Sequence, residues 1–244
     1  MKKIGVISDI HGNLPALKSV LALLDSEGCE EIIHTGDVVD IGPNSRECLD
    51  LLLERGVICL LGNHDRDFAV NETRARNLSH VPTEHKQQVF ATLTEEHRQK
   101  VLNFPLYVVR NCGKSKLLFT HYAFKRQPFS IDVFPFLPIA IPPTAEAFDG
   151  MFAGLDCDAV FFGHKHEPCD VVGERLYVDV GSVGCHPDPV ARAIVIEYDD
   201  ERWSYRRVYA PYDMATTRNG MLTEVACGEQ LYDFYYLLNT GVRK

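Results

Sequence analysis

The sequence predicts an α/β chain built from two packed mixed β-sheets with helices outside. Three observations carry this expectation. Early apolar runs alternate with helical patterns, which favours parallel pairing. Two late apolar runs flank Asp199-Asp200, which reads as an antiparallel hairpin. Motifs rich in Asp, Asn and His begin where apolar runs end, and α/β sheets form their sites outside the carboxyl ends of their strands.

Ile4–Ser8 is a short apolar run and reads as the first strand. Leu14, Leu17, Leu21 and Leu24 then fall on one helical face, with Asn13 as N-cap and Pro15 in the first turn. Glu31–Thr35 reads as the second strand. A helix opens at Ser45, runs through Leu49, Leu52 and Leu53, and stops at Gly56. Val57–Leu61 reads as the third strand. From Phe68 to Asn103 the chain turns polar and helical, and Thr94-Glu95-Glu96 reads as a helix start. Lys116–Thr120 and Ala159–Phe162 read as strands. Between them, residues 128–143 carry Pro128, Pro135, Pro138, Pro142 and Pro143, which excludes regular helix. That segment is expected to be an ordered loop packed over the domain, or an interface. Thr144 caps a short helix after it. Arg175–Val180, Ala191–Tyr198 and Arg202–Tyr209 read as strands, and Met214–Leu238 as mostly helical. No internal repeat or linker stands out, so residues 1–244 are expected to form one domain with a variable helical segment at 66–113 and a proline-rich loop at 125–150.

At 244 residues and 45% apolar content, the chain can bury a real core. A net charge of −9 argues against nonspecific nucleic-acid binding, which needs a positive field. No apolar stretch reaches the ~20 residues of a membrane span. The run after Met1-Lys2-Lys3 stops at Ser8-Asp9, too early for a secretory core. The eight cysteines contain no Cys-x-x-Cys pair, so zinc ribbons and thioredoxin-like sites are not expected. Reduced thiols without a leader point to the cytoplasm.

Five motifs carry the chemistry: Asp9-Ile10-His11, Gly36-Asp37-Val38-Val39-Asp40, Gly62-Asn63-His64-Asp65, Thr120-His121 and Gly163-His164-Lys165-His166. Carboxylate, amide and imidazole groups held on separate stiff elements are what hard and borderline cations need. Singly, most of these motifs are weak. Asp9 alone would cap a helix, Gly36-Asp37 is a common turn, and His121 alone would be a satisfied core histidine. Together they call for partners, because buried polar groups must be matched. Gly36, Gly62 and Gly163 each precede a ligand candidate, where a missing Cβ permits sharp turns and close approach of a cation. His34 reads as a packed strand residue, and His186 as a loop residue near the rim of the site. His80, His85 and His97 read as solvated. Lys125, Arg126 and Lys165 read as surface charges, with contact to a second phosphate as the sharper alternative.

At these residues the sequence resembles the calcineurin-like metallophosphoesterases, whose five blocks are all present in order. The opening Ser8-Asp9-Ile10-His11-Gly12-Asn13 is similar to that of the small bacterial and archaeal "SDIHGN" members, as are Gly181-Ser182-Val183-Gly184 and Arg192-Ala193. The resemblance covers roughly the first 200 residues. The chain departs from it at Asp179-Val180, where near relatives often carry Asn-Pro or Asn-Val.

The resemblance implies a four-layer α-β-β-α sandwich and a dinuclear centre of manganese, iron or zinc ions, divalent or trivalent. It implies that one ion takes Asp9, His11, Asp37 and His166, and the other Asp37, Asn63, His121 and His164, with Asp37 shared. His64 would face the substrate as the catalytic group, and Asp65 and Asp40 would orient their neighbours, Asp65 counting with His64 in the catalytic set. Two divalent ions and two carboxylates leave about two net positive charges, an attraction for phosphate inside an acidic protein. A hydroxide between the ions is expected to attack phosphorus in line, with His64 assisting the leaving oxygen. The expected activity is hydrolysis of a phosphate ester, small molecule or nucleotide, with phosphodiesters or dinucleoside polyphosphates ahead of monoesters. A phosphomonoesterase or protein phosphatase is the alternative, and a non-catalytic scaffold is the remote one.

Overall fold

The computed structural model describes residues 1–73, 81–125 and 130–237. Its ten strands form two five-stranded mixed sheets. The first has the order β10 (Trp203–Pro211), β9 (Val190–Tyr198), β1 (Lys2–Ile7), β2 (Glu31–His34), β3 (Ile58–Cys59). Here β1, β2 and β3 pair in parallel, and β9 and β10 form the hairpin foreseen around Asp199-Asp200. The second sheet has the order β4 (Tyr107–Cys112), β5 (Ser115–Thr120), β6 (Ala159–Phe162), β8 (Leu176–Asp179), β7 (Cys169–Val172). Its three inner strands β5, β6 and β8 are parallel, and its two edge strands are antiparallel.

Side-chain alternation sorts the strands into layers. Ile4 and Val6 of β1, Leu117 and Phe119 of β5, Ala159 and Phe161 of β6, and Ile194 and Ile196 of β9 form one buried cluster between the sheets. Their sequence neighbours Ile7, Leu118, Val160, Phe162 and Val195 point outward into the helical layers. α1 (Leu14–Ser26) buries Ala16, Leu17, Val20, Leu21 and Leu24 on its sheet-facing side. Burying each such leucine contributes about 1.5–3 kcal/mol. Asn13 accepts from Ala16 N at the helix start, as foreseen, and Pro15 sits in the first turn. α2 (Ser45–Glu54) lies beside α1, with Cys48, Leu49 and Leu52 buried. On the far sheet, Phe148 of α6 (Ala145–Met151) packs on Phe162 and Tyr177, and Thr144 caps that helix.

Several elements differ from expectation. The third strand is only two residues long, because the chain beyond Cys59 turns into the ligand-bearing loop. β4 and β7 were not foreseen. β4 alternates exposed and partly buried residues along an edge, and β7 has only four residues, so neither shows an apolar run. α3 (Asn63–Ala69) opens at the third motif, and the polar stretch after it holds α4 (Thr83–Thr92) and α5 (Glu95–Leu102), the last capped by Thr94. The C-terminal stretch is broken into α7 (Met214–Glu224), α8 (Gly228–Tyr232) and a π-helical turn at Asp233–Leu237. Cys227, at φ +59°, makes the break. The expected helix end at Leu238 falls outside the described residues, as do Pro128, His80 and Arg126. From 130 onward the proline-rich segment is an ordered loop. Its Phe136 is buried, and Ala140 N donates to Tyr122 Oη.

Candidate metal centre

Parallel pairing inside each sheet brings the ends of β1, β2, β3, β5, β6 and β8 to one edge of the molecule. The five motifs leave those ends. Asp9 and His11 follow β1, Asp37 follows β2, Asn63 opens α3 after β3, His121 follows β5, and His164 and His166 follow β6. Backbone bonds stitch the loops together: Asp9 N donates to Gly36 O, Ile10 N to Asp37 O, Val183 N to Ser8 O and Gly163 N to His121 O.

The backbone there is strained. Asp9, His11, Asp37, His164 and His166 all have φ between +48° and +79°. Non-glycine residues rarely occupy this region, and such outliers persist only where surrounding structure over-determines them. Two glycines make room. A Cβ on Gly62 would fall 2.1 Å from Asp37 Oδ1, and one on Gly163 would fall 2.3 Å from Asp9 Oδ2. The close approach these glycines permit here is to a carboxylate.

All seven ligand candidates meet in two overlapping sets. In the first, His11 Nε2 lies 3.8 Å from Asp9 Oδ1, 3.7 Å from Asp37 Oδ2 and 3.1 Å from His166 Nε2. In the second, His121 Nε2 lies 3.2 Å from Asp37 Oδ2, 3.0 Å from Asn63 Oδ1 and 3.1 Å from His164 Nδ1. Atoms held about 2.0–2.3 Å from one ion sit roughly 3–4 Å apart, so both sets have the spacing of a coordination shell. Asp37 Oδ2 belongs to both.

The remaining polar atoms are committed to holding these in place. Asp9 Oδ2 accepts from Ser8 Oγ and from His164 N, while the buried Oδ1 has no hydrogen-bond partner among the described residues and faces the cluster. Asp37 Oδ1 accepts from His64 N, which leaves Oδ2 for the interior. His11 Nδ1 donates to Val39 O, a contact that fixes the tautomer and frees the Nε2 lone pair. Asn63 Oδ1 stands among acceptors only, 3.3 Å from Asp37 Oδ2 and 2.8 Å from His164 Nδ1. Without a cation, the amide would gain by turning its NH₂ inward. This convergence of lone pairs is the test the donor set passes: it fits a metal ion.

The electrostatics agree. Burial, helped by neighbouring imidazoles, pushes His11 and His164 well below the ordinary histidine range, and burial lowers His166. These three are neutral at pH 7, with lone pairs available without proton release. Burial also pulls on His121, but the Asp37 carboxylate outweighs it and raises the ring. Asp9, His11, Asp37, His121 and His166 are buried, whereas Asn63, His64 and His164 are half-buried, so the cluster opens on their side.

His64 Nε2 lies 3.3 Å from the outer end of the Asn63 amide, and Nδ1 lies 2.7 Å from Asp40 Oδ2. Burial lowers its pKa, but Asp37 and Asp40 outweigh that and lift it to about 9 in the protein alone. Bound cations would push it back down. Asp65 does not reach the cluster. Its carboxylate accepts from the backbone N–H groups of Asp37, Val38, Val39 and Gly62, and so holds the turn that presents Asp37. Burial and the Asp37 charge raise it to about 7.

Other residues stand differently from their sequence reading. His85 and His97 are not solvated. His85 is buried with Nε2 3.0 Å from Asp40 Oδ1, and His97 pairs with Asp50. His34 is buried in β2 as expected, with neither ring nitrogen hydrogen-bonded among the described residues. His186 accepts from Arg192 Nη2, Lys165 pairs with Glu167, and Lys125 Nζ donates to Phe134 O. Asp179 is buried, and its Oδ1 accepts from Gly181 N, shaping the turn at the point of departure from the resemblance.

The sequence reading missed four neighbours of the cluster. The Cys185 thiol lies within 4.8 Å of ligand atoms of His11 and His166. Tyr235, from the C-terminal π-helical turn, stands 6.0 Å from the His166 ring. Phe136 packs edge-on against His121 at 5.1 Å. His85 is the fourth. The only sequence signal was the aromatic density of Tyr232, Phe234, Tyr235 and Tyr236.

The chain is similar to known proteins in both sequence and fold. A family model described as calcineurin-like phosphoesterase matches residues 2–168. An uncharacterized protein of Methanocaldococcus jannaschii is 27% identical over 233 residues, covering 86% of this chain and 88% of its own. A metallophosphoesterase from Sphaerobacter thermophilus superposes with a TM-score of 0.69 at 24% identity, covering 94% of this chain and 98% of that one. A hypothetical protein from Pyrococcus horikoshii gives 0.74 at 20%, covering 97% and 98%.

Proposed function

The chain belongs to the calcineurin-like phosphoesterase family and is a phosphoester hydrolase, and on that premise we propose that it works through two metal ions bridged by Asp37. Asp9, His11, Asp37 and His166 would hold one ion, and Asp37, Asn63, His121 and His164 the other. The observation that carries this reading is the sharing of Asp37 Oδ2 by two sets of converging lone pairs. Mixed nitrogen and oxygen donors suit manganese, iron or zinc. When bound, such ions supply Lewis acidity and activate water near neutral pH.

The chain's own residues do the rest. Asp65 holds the Asp37 turn, so the shared carboxylate keeps its aim. Asp40 fixes the ring of His64 through Nδ1 and turns Nε2 toward the open side, where a leaving oxygen takes its proton. The substrates we propose are phosphodiesters or dinucleoside polyphosphates, ahead of monoesters, a preference that rests on the similarity of Ser8–Asn13 and Gly181–Gly184 to the small microbial members. All eight cysteines are free thiols, which supports a reducing, cytoplasmic setting. Among the described residues no helix is long and apolar enough to cross a membrane.

The manganese-loaded protein should cleave an aryl phosphodiester faster than the matching monoester. Equal or faster monoester turnover would overturn the diester preference.

A further inference from the structure

α4 lies in the stretch that the five motifs do not include, yet it sends one buried imidazole to the back of the site. His85 is fully buried, and its Nε2 lies 3.0 Å from Asp40 Oδ1. The other oxygen of the same carboxylate lies 2.7 Å from His64 Nδ1. Asp40 is itself fully buried and sits at φ +77°. Its N donates to Ser45 Oγ, and its Oδ1 also accepts from Ile41 N. The ring of His85 is not aligned for a well-formed hydrogen bond, so its contact with Asp40 is one of proximity. Neither of its nitrogens has another hydrogen-bond partner among the described residues. A polar ring buried with a single polar contact costs stability, and a catalytic role is one reason such a group is kept.

We propose that His85 is a positioning residue, which acts through Asp40 to hold the His64 ring in line with the leaving oxygen. This rests on the reading of His64 given above. The carboxylate has a torsional freedom that Ile41 N and Ser45 alone do not remove, since both act at the Asp40 backbone or on one oxygen. His85 adds a second contact to Oδ1, beside that from Ile41 N, and so helps keep Oδ2 on His64 Nδ1. In the reaction, the oxygen of a water bonds to phosphorus as the P–O bond to the leaving group breaks; the Nε2 proton passes to the departing oxygen, and the proton the water sheds goes to solvent, from which His64 is reprotonated. Misorientation by about 1 Å can cost on the order of 10²-fold in such a step. Acting at one remove, His85 is expected to matter less.

The test uses the full manganese-loaded chain and two aryl phosphodiesters, one with a nitrophenyl and one with a phenyl leaving group. Proton donation matters for the poor phenyl leaving group and little for nitrophenyl. His64→Ala should therefore lower kcat far more for the phenyl ester. His85→Phe should show the same selectivity, about tenfold on the phenyl ester and less than about threefold on the nitrophenyl ester, with KM and bound metal unchanged. His85→Gln, whose amide N–H can reach Asp40, should recover most of the loss. In a double-mutant cycle, His85→Phe should add nothing to His64→Ala on the phenyl ester. Should His85→Phe fail to fold, His85→Asn, too short to reach Asp40, replaces it against His85→Gln. Equal losses on both esters, or full additivity with His64→Ala, would overturn the role of His85. If His64→Ala itself shows no selectivity between leaving groups, the reading of His64 falls, and this inference with it.

Discussion

The strand-end loops and the segments that buttress them are built on opposite plans. The loops carry their function in short motifs, on backbone forced to positive φ at five of the seven ligand candidates. Their carboxylates each spend one oxygen on backbone or Ser8 and leave the other for the cluster. The buttresses have ordinary backbone at most positions and reach the cluster through single side chains: His85 from α4, Phe136 from the proline-rich loop, and Tyr235 near the C-terminus. On the proposed reading, the loops would hold the ions and the buttresses would govern how still the reacting groups are held.

Substitution at Asp37 should expose this division most sharply. Asp37→Asn removes the one anionic atom common to both ligand sets, and activity should fall to background with both ions lost together. Metal analysis after gel filtration checks this. Loss of one ion with retention of the other would break the idea of a shared ligand.

Asp65→Asn probes the layer between the two regions. An amide cannot accept from four backbone N–H groups with both ends, so its NH₂ would face donors. The expected cost is about 1.5–3 kcal/mol of stability, the range for a hydrogen bond to a charged group, with a 10–100-fold loss of metal affinity. Denaturant unfolding with a metal titration checks both. Unchanged affinity would mean that the Asp37 turn holds itself.

The smallest effect is expected from His34, which lies beneath the loops and takes no part in the clusters. Burial first, with His121 adding and Asp37 opposing, holds its pKa at about 3. The folded state thus keeps His34 neutral where the unfolded chain, at about 6.5, would protonate it. The unfolded state binds more protons between those values, so this contribution is complete above pH 6.5 and is lost as pH falls toward 3, at up to about 1.4 kcal/mol per pH unit. His34→Leu should flatten the acid side of the stability profile and leave pH 7 activity intact. An identical acid slope in the variant would show that other groups set it.

The same division explains what was legible in the sequence. Strand–helix alternation and the Asp199-Asp200 turn implied two mixed sheets. The five motifs implied that Asp9, His11, Asp37, Asn63, His121, His164 and His166 would meet, because each motif lies within a few residues of a strand end and local spacing carries the information. β4 and β7 were not legible, since edge strands bury too little to show a pattern. His85 read as solvated because α4 is polar overall, and nothing local says that Asp40, 45 positions earlier, will meet it. The carboxylate approach at Gly62 and Gly163 was not legible, since it depends on loops distant in sequence.

Anomalous diffraction from crystals grown with manganese tests the shared aspartate most directly. Two peaks should flank Asp37 Oδ2, one among Asp9, His11 and His166 and the other among Asn63, His121 and His164. A single peak, or two that do not both contact Asp37, would contradict the bridged pair.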